Sequence, residues 1–152
     1  MTNIVSLYDI PDTILELAGT MACMRSKDPK TKVGACAYDW STGATYFGYN
    51  GFPSGIPDEQ SWWEEAGGAE FKKHELVVHA ESAAMRKALV AGANMRDIEL
   101  FVTHFPCLRC VVEHVIANKI KAVTARAVGP AIKDIQRVKQ VLDYIGIPIF
   151  IR

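Results

Sequence analysis

The chain carries no surplus of charge: 17 Lys and Arg residues stand against 17 Asp and Glu, and the pI is near 6.9. Proteins that grip a polynucleotide through its phosphates carry a basic excess, because affinity comes largely from phosphate neutralisation. Its absence turns the reading from nucleic acid toward a small substrate. Long apolar runs are also missing. None approaches the ~20 residues of a membrane-crossing helix, so no membrane partner is expected. Met1-Thr2-Asn3 opens no basic-then-apolar leader, which points to a cytoplasmic location. Cysteine is scarce, with four residues: Cys23, Cys36, Cys107 and Cys110. In a reducing compartment these serve as metal ligands or buried thiols rather than disulfides. There is no internal repeat and no low-complexity segment, which excludes a repeat array. What is present is apolar residue content: 49% of 152 residues are hydrophobic, enough for one sizeable core, and residues 1–152 are expected to form a single domain.

Periodicity sets out the elements. Asp9-Ile10-Pro11-Asp12 reads as a helix start, and Ile14, Leu15, Leu17, Ala18, Met21 and Ala22 continue an apolar face to about Met24. Asp28-Pro29 ends it. Val33–Tyr38 and Ala44–Tyr49 read as a hairpin joined through Ser41-Thr42-Gly43. Residues 50–68 are rich in Gly and Pro, carry Trp62 and Trp63, and read as a long irregular segment of the kind that tends to be functional. A helix is expected from His79 to Gly92, a strand over Glu99–Thr103, and a helix over Cys107–Asn118. A strand over Ala122–Ala125, a helix over Ile132–Ile145 and a last strand over Ile147–Ile151 complete the chain. Strands and helices alternating from residue 79 onward imply an α/β layered domain with mixed or parallel pairing in its second half.

Within this frame, H-A-E at 79–81 and P-C-L-R-C at 106–110 carry chemistry. Zinc favours nitrogen and thiolate ligands, and a catalytic zinc takes three protein ligands and keeps one position for water. His79, Cys107 and Cys110 make three. Glu81 is then free to act on the water as general acid and base. A lone C-x-x-C is as compatible with a structural knuckle or two buried thiols, and a lone His or Glu with an ordinary polar contact. The constellation carries the argument, since a structural site has no use for Glu81. Cysteines three apart on a helix share a face, and a helix N-terminus favours the thiolate. His79 and Glu81, two apart, can converge only if His79 stands at the very start of its helix. Ala80, Ala83 and Ala84 are small enough to let the two metal-bearing helices approach. Cys36, in an apolar strand, reads as core. His74, His104 and His114 read as structural or surface, although His74 with Cys23 offers a candidate second metal pair.

The chain resembles the deoxycytidylate (dCMP) deaminases of the cytidine deaminase-like superfamily over roughly residues 20–126. The H-x-E…P-C-x-x-C signature is that of the zinc nucleobase deaminases. Ser26 to Ala35 (S-K-D-P-K-T-K-V-G-A) is similar to that family's first motif, Gly48 to Gly55 (G-Y-N-G-F-P-S-G) to its second, and Phe101-Val102-Thr103 leading to Phe105-Pro106-Cys107 to its strand into the zinc helix. The resemblance implies a three-layer α/β/α fold with a central mixed sheet of about five strands. It implies one Zn2+ per chain and hydrolytic deamination of dCMP to dUMP and ammonia, supplying dUMP for thymidylate synthesis, with dCTP as an alternative or additional substrate. It implies Asn50 at the deoxyribose or phosphate, Arg25, Ser26 and Lys27 at the phosphate, the Ala80 N–H at the base edge and Phe105 near the ring. A homo-oligomer regulated by dCTP and dTTP is implied as well, with Mg2+ accompanying a triphosphate effector and residues 50–68 as the place to look for its site. Four positions depart from the family pattern: Ala83 and Val78 where Asn and Cys are usual, and Leu108-Arg109 between the cysteines where Asn-Glu is frequent. Arg109 adds a positive charge that could answer a further phosphate.

Overall fold

The computed structural model describes residues 10–129 and 132–152. Helix α1 spans Ile10–Arg25 and buries Ile14, Leu15, Ala18 and Ala22, the stripe expected from the sequence. Its expected start at Asp9 lies outside the described residues. Strands β1 (Gly34–Asp39) and β2 (Thr45–Tyr49) form the hairpin. Two one-turn helices follow, α2 (Gln60–Trp63) and α3 (Lys73–Leu76). Then come α4 (Ala80–Val90), β3 (Ile98–Val102), α5 (Leu108–Cys110), β4 (Ala122–Ala125), α6 (Ile132–Ile145) and β5 (Ile149–Ile151). No helix among the described residues is long and apolar enough to cross a membrane.

The strands form one mixed sheet in the order β2-β1-β3-β4-β5. β1 pairs antiparallel with β2 and β3; β3–β4 and β4–β5 are parallel. Side chains alternate across a strand. Cys36 and Phe101 therefore face α1 on one side. Ala35, Ala37, Leu100, Val102 and Val123 face α4 and α6 on the other, against Met85, Val138 and Leu142. This is the expected α/β/α sandwich with five strands.

Three local departures have physical causes. The last strand begins at Ile149, not Ile147, because Pro148 has no N–H to give the ladder and contributes only its carbonyl, which accepts from Val123 at 3.0 Å. The helix after Cys110 continues as a π-helix over Val111–Ile116. Its wider turns show as N–H bonds reaching back five residues, from Ala117 to Val112 at 3.2 Å and from Ile120 to Val115 at 3.2 Å. Residues 50–68, expected to be irregular, fold over their own aromatics. Phe52 stacks on Trp63 at 3.9 Å with 7° between the planes, and the Trp63 indole N–H donates to Asp58 Oδ1 at 3.1 Å. Gly51 then pairs in a bridge with Val78, which delivers the chain to the start of α4.

Gly48 sets how deeply α4 can seat. A Cβ there would lie 2.5 Å from the Ala80 carbonyl oxygen and 2.5 Å from the Ala84 nitrogen. Only a hydrogen fits, so the first turn of α4 rests directly on β2.

Candidate active site

His79 is the N-cap of α4, in extended backbone (φ −69°, ψ 153°). The turn begins one residue later, and this is what lets His79 and Glu81, two apart, converge. Cys107 is likewise the N-cap of α5 (φ −72°, ψ 158°), and its Sγ accepts from the Cys110 N–H at 3.5 Å. His79 Nδ1 lies 3.7 Å from Cys107 Sγ and 3.3 Å from Cys110 Sγ, and the three ligand atoms are all within 4.8 Å of one another. Zinc–sulfur bonds of about 2.3 Å and zinc–nitrogen bonds of about 2.0 Å arranged as a tetrahedron give edges of roughly 3.5–3.8 Å. The donor set fits zinc in both chemistry and spacing. It is the only group of three such side chains among the described residues. His74 faces Glu65 at 3.7 Å, and Cys23 is a free, exposed thiol; they form no second group.

The electrostatics anticipate a cation. The hydrogen bond from Cys110, with a further one from His79, brings the Cys107 thiol down to about 3. Cys110 moves the other way, pushed up by its bond to Cys107 and by burial. The pair thus combines a Cys107 thiolate with a Cys110 thiol whose proton a divalent metal would displace. The Cys107 thiolate raises His79 against the effect of burial, and Glu81 adds to the rise. Glu81 is buried beside the triad, with Oε2 3.7 Å from Cys110 Sγ, and burial raises its carboxyl above the usual range. A carboxyl raised in this way is suited to both taking and returning a proton.

A cavity of 210 Å³ opens onto His79, Glu81 and Cys107, with Ala80, Phe105, Asn50, Val33 and Val77 around it. Asp28, Lys73 and His104 complete its wall. The structure thus brings together seven of the residues named from sequence: His79, Ala80, Glu81, Asn50, Phe105 and Cys107 at the cavity, and Cys110 buried behind them. Ser26 is buried one step back, its hydroxyl 2.9 Å from the Asn50 carbonyl oxygen. Arg25 and Lys27 line a separate polar depression with Tyr49, Phe52 and Asp58. Arg109 is exposed and pairs with Glu113 at 3.2 Å. Asp28, Lys73 and His104 were not found by sequence reasoning. Asp28 reads as a helix breaker and His104 as a structural residue, and no local pattern marks Lys73. Burial lowers His104 and keeps it neutral.

A fold of this topology with a His-Cys-Cys triad and an adjacent buried Glu defines a zinc-binding deaminase domain. Residues 10–127 match the family described as the cytidine and deoxycytidylate deaminase zinc-binding region, and the chain belongs to that family. It is 35% identical over 134 residues to a probable deoxycytidylate deaminase of Drosophila melanogaster, an alignment covering 84% of this chain and 64% of that one. It is 35% identical over 94 residues to the deoxycytidylate deaminase of Homo sapiens, covering 59% of this chain and 50% of the human protein. The chain therefore spans about half to under two thirds of the length of these relatives. Among solved structures, the dCMP deaminase of cyanophage S-TIM5 in complex with dCMP and dUMP superposes with a TM-score of 0.69 at 26% identity, over 95% of this chain and 97% of that one.

Proposed function

We propose that this chain is a single zinc-dependent domain that deaminates dCMP to dUMP and ammonia. The observation that carries the proposal is the buried Glu81 carboxyl alongside three ligand atoms within 4.8 Å of one another, with His79, Glu81 and Cys107 opening on one cavity and Cys110 buried behind them. His79, Cys107 and Cys110 would hold one Zn2+, which supplies the acidification of water that makes a nucleophile available at neutral pH. Glu81 takes the proton of the attacking water at its carboxylate, passes it to the ring nitrogen, and returns the second proton to the departing amine. The Ala80 N–H, at the start of α4 where no helical acceptor precedes it, would hold the base edge. Phe105, 6% exposed, packs beside the ring and keeps bulk water from it. Support for dCMP over other cytosine compounds comes from the fly, human and phage relatives, all named for that substrate.

Arg25, Lys27 and Arg109 stand outside this cavity and take no part in this reading of the reaction. A homo-oligomer in the cytoplasm, regulated by dCTP and dTTP with Mg2+ on the triphosphate, belongs to the same proposal. One assay tests it: ammonia release from dCMP, dCTP, CMP and deoxycytidine by the zinc-loaded protein, with and without added dCTP and dTTP. Turnover of dCMP well above the other three is expected. Faster turnover of dCTP would replace the proposal with a triphosphate deaminase, and turnover of none would leave a non-catalytic zinc domain.

A further inference from the structure

Deamination happens at the base, yet the cavity carries a cation that base chemistry does not require. Lys73, on the one-turn helix α3, is the only Lys or Arg in the cavity wall among the described residues. It is not a loose surface lysine. Its Nζ lies 2.5 Å from Asp28 Oδ2, and Asp28 is 1% exposed. Asp28 is itself fixed from several sides: Oδ1 accepts the Lys30 N–H at 2.9 Å and the Thr31 N–H at 3.2 Å, and Oδ2 accepts the Asn50 amide at 3.2 Å. Asn50 is held in turn. Its amide also donates to the Thr31 carbonyl at 2.9 Å, and its Oδ1 accepts from the Val33 N–H at 2.9 Å and the Ser26 hydroxyl at 3.0 Å.

This network has a direction. Asn50 spends its donors and acceptors within the chain. Asp28 is shielded by three N–H groups besides the lysine. An ammonium has three donors, and the contact with Asp28 occupies one. Lys73, about a quarter exposed and part of the cavity wall, is left with the others. A cation in the wall of the same cavity as His79, Glu81 and Cys107 suits a group bearing two negative charges and several acceptor oxygens. We propose that Lys73 receives the phosphate monoester of the nucleotide, and that Asp28 and Asn50 are positioning residues that aim it. The inference rests on the dCMP reading and assigns the residue that makes the enzyme select a nucleotide over a nucleoside.

The test is the ratio of kcat/KM for dCMP to that for deoxycytidine, measured on zinc-loaded protein. Loss of a charge-assisted contact is expected to lower this ratio about 10- to 100-fold in Lys73→Met, mainly through KM for dCMP. Lys73→Arg should restore part of it. Because Lys73→Met strands the Asp28 carboxylate, the double variant Asp28→Asn with Lys73→Gln, which removes both charges, is run beside it and should show the same fall. A ratio unchanged from wild type in both variants overturns the assignment. So does a larger fall in Lys27→Ala than in Lys73→Met. A wild-type ratio near one overturns the dCMP reading itself, and the role of Lys73 with it.

Discussion

Ser82 Oγ meets His114 Nε2 at 2.6 Å, joining α4 to the π-helix. Each helix carries ligands, His79 at the head of one and Cys110 at the entry to the other. The bond therefore fixes the spacing of the two halves of the zinc site. Burial keeps His114 below its ordinary value, hence neutral. Ser82→Ala removes the partner at a cost of about 1 kcal/mol of stability. Zinc content should stay at one per chain while kcat falls several-fold. Melting curves, metal analysis and rates on one preparation check this, and unchanged kcat would show that the spacing does not depend on this bond.

Cys110 is the buried member of the triad and has no substitute nearby. In Cys110→Ser a hydroxyl replaces the thiolate, and zinc affinity should fall enough that the purified protein carries little metal. Metal analysis decides the matter: full occupancy would remove Cys110 from the ligand set.

In the proposed reaction Glu81 links catalysis to pH. Its carboxyl is raised by burial, so the folded chain favours the protonated form. The stability that protonation brings is complete below the unfolded carboxyl value of about 4.3 and is lost as pH rises through the raised one. Glu81→Gln mimics the protonated form at every pH. The zinc-free variant should melt above zinc-free parent at neutral pH, with the gap closing near pH 4. The zinc-loaded variant should lose about 10²–10⁴-fold in turnover while still binding nucleotide. A neutral-pH melting point below the parent's would contradict the burial argument.

Gly48→Ala should disturb the site from behind. The added Cβ cannot avoid the Ala80 carbonyl and the Ala84 nitrogen, both backbone, so α4 must move. Overpacking of this kind costs about 1–3 kcal/mol. Since α4 carries His79 and Glu81, activity should fall further than stability alone explains, and a variant with wild-type kcat would show that β2 yields instead.

What could be read from the sequence was whatever chemistry or local geometry marks directly. Zinc donors announce themselves by type and spacing, and the H-A-E interval required a helix starting at His79, where α4 caps. Amphipathic patterning placed α1, and β4 matched at both ends. The π-helix was not legible, because a bond back to the fifth residue leaves no residue pattern of its own. Ser26, Lys27 and Arg25 adjoin in sequence but part in space: α1 ends at Arg25, the Ser26 hydroxyl turns in toward Asn50, and its basic neighbours face the other depression. Lys73 reaches the cavity only because the Gly51–Val78 bridge and the buried Asp28 bring distant segments together.

The stack of Phe52 on Trp63 gives the chain an optical property. Trp63 is 3% exposed, one of three tryptophans, and sits in the same segment as Asn50 and the Gly51 bridge that leads to the zinc histidine. An indole pressed against another ring and bonded to Asp58 emits differently from one in water, so any nucleotide that shifts this segment will change the intrinsic fluorescence. Trp63 is thus an unlabelled probe of the conformation of the segment that leads into the zinc histidine.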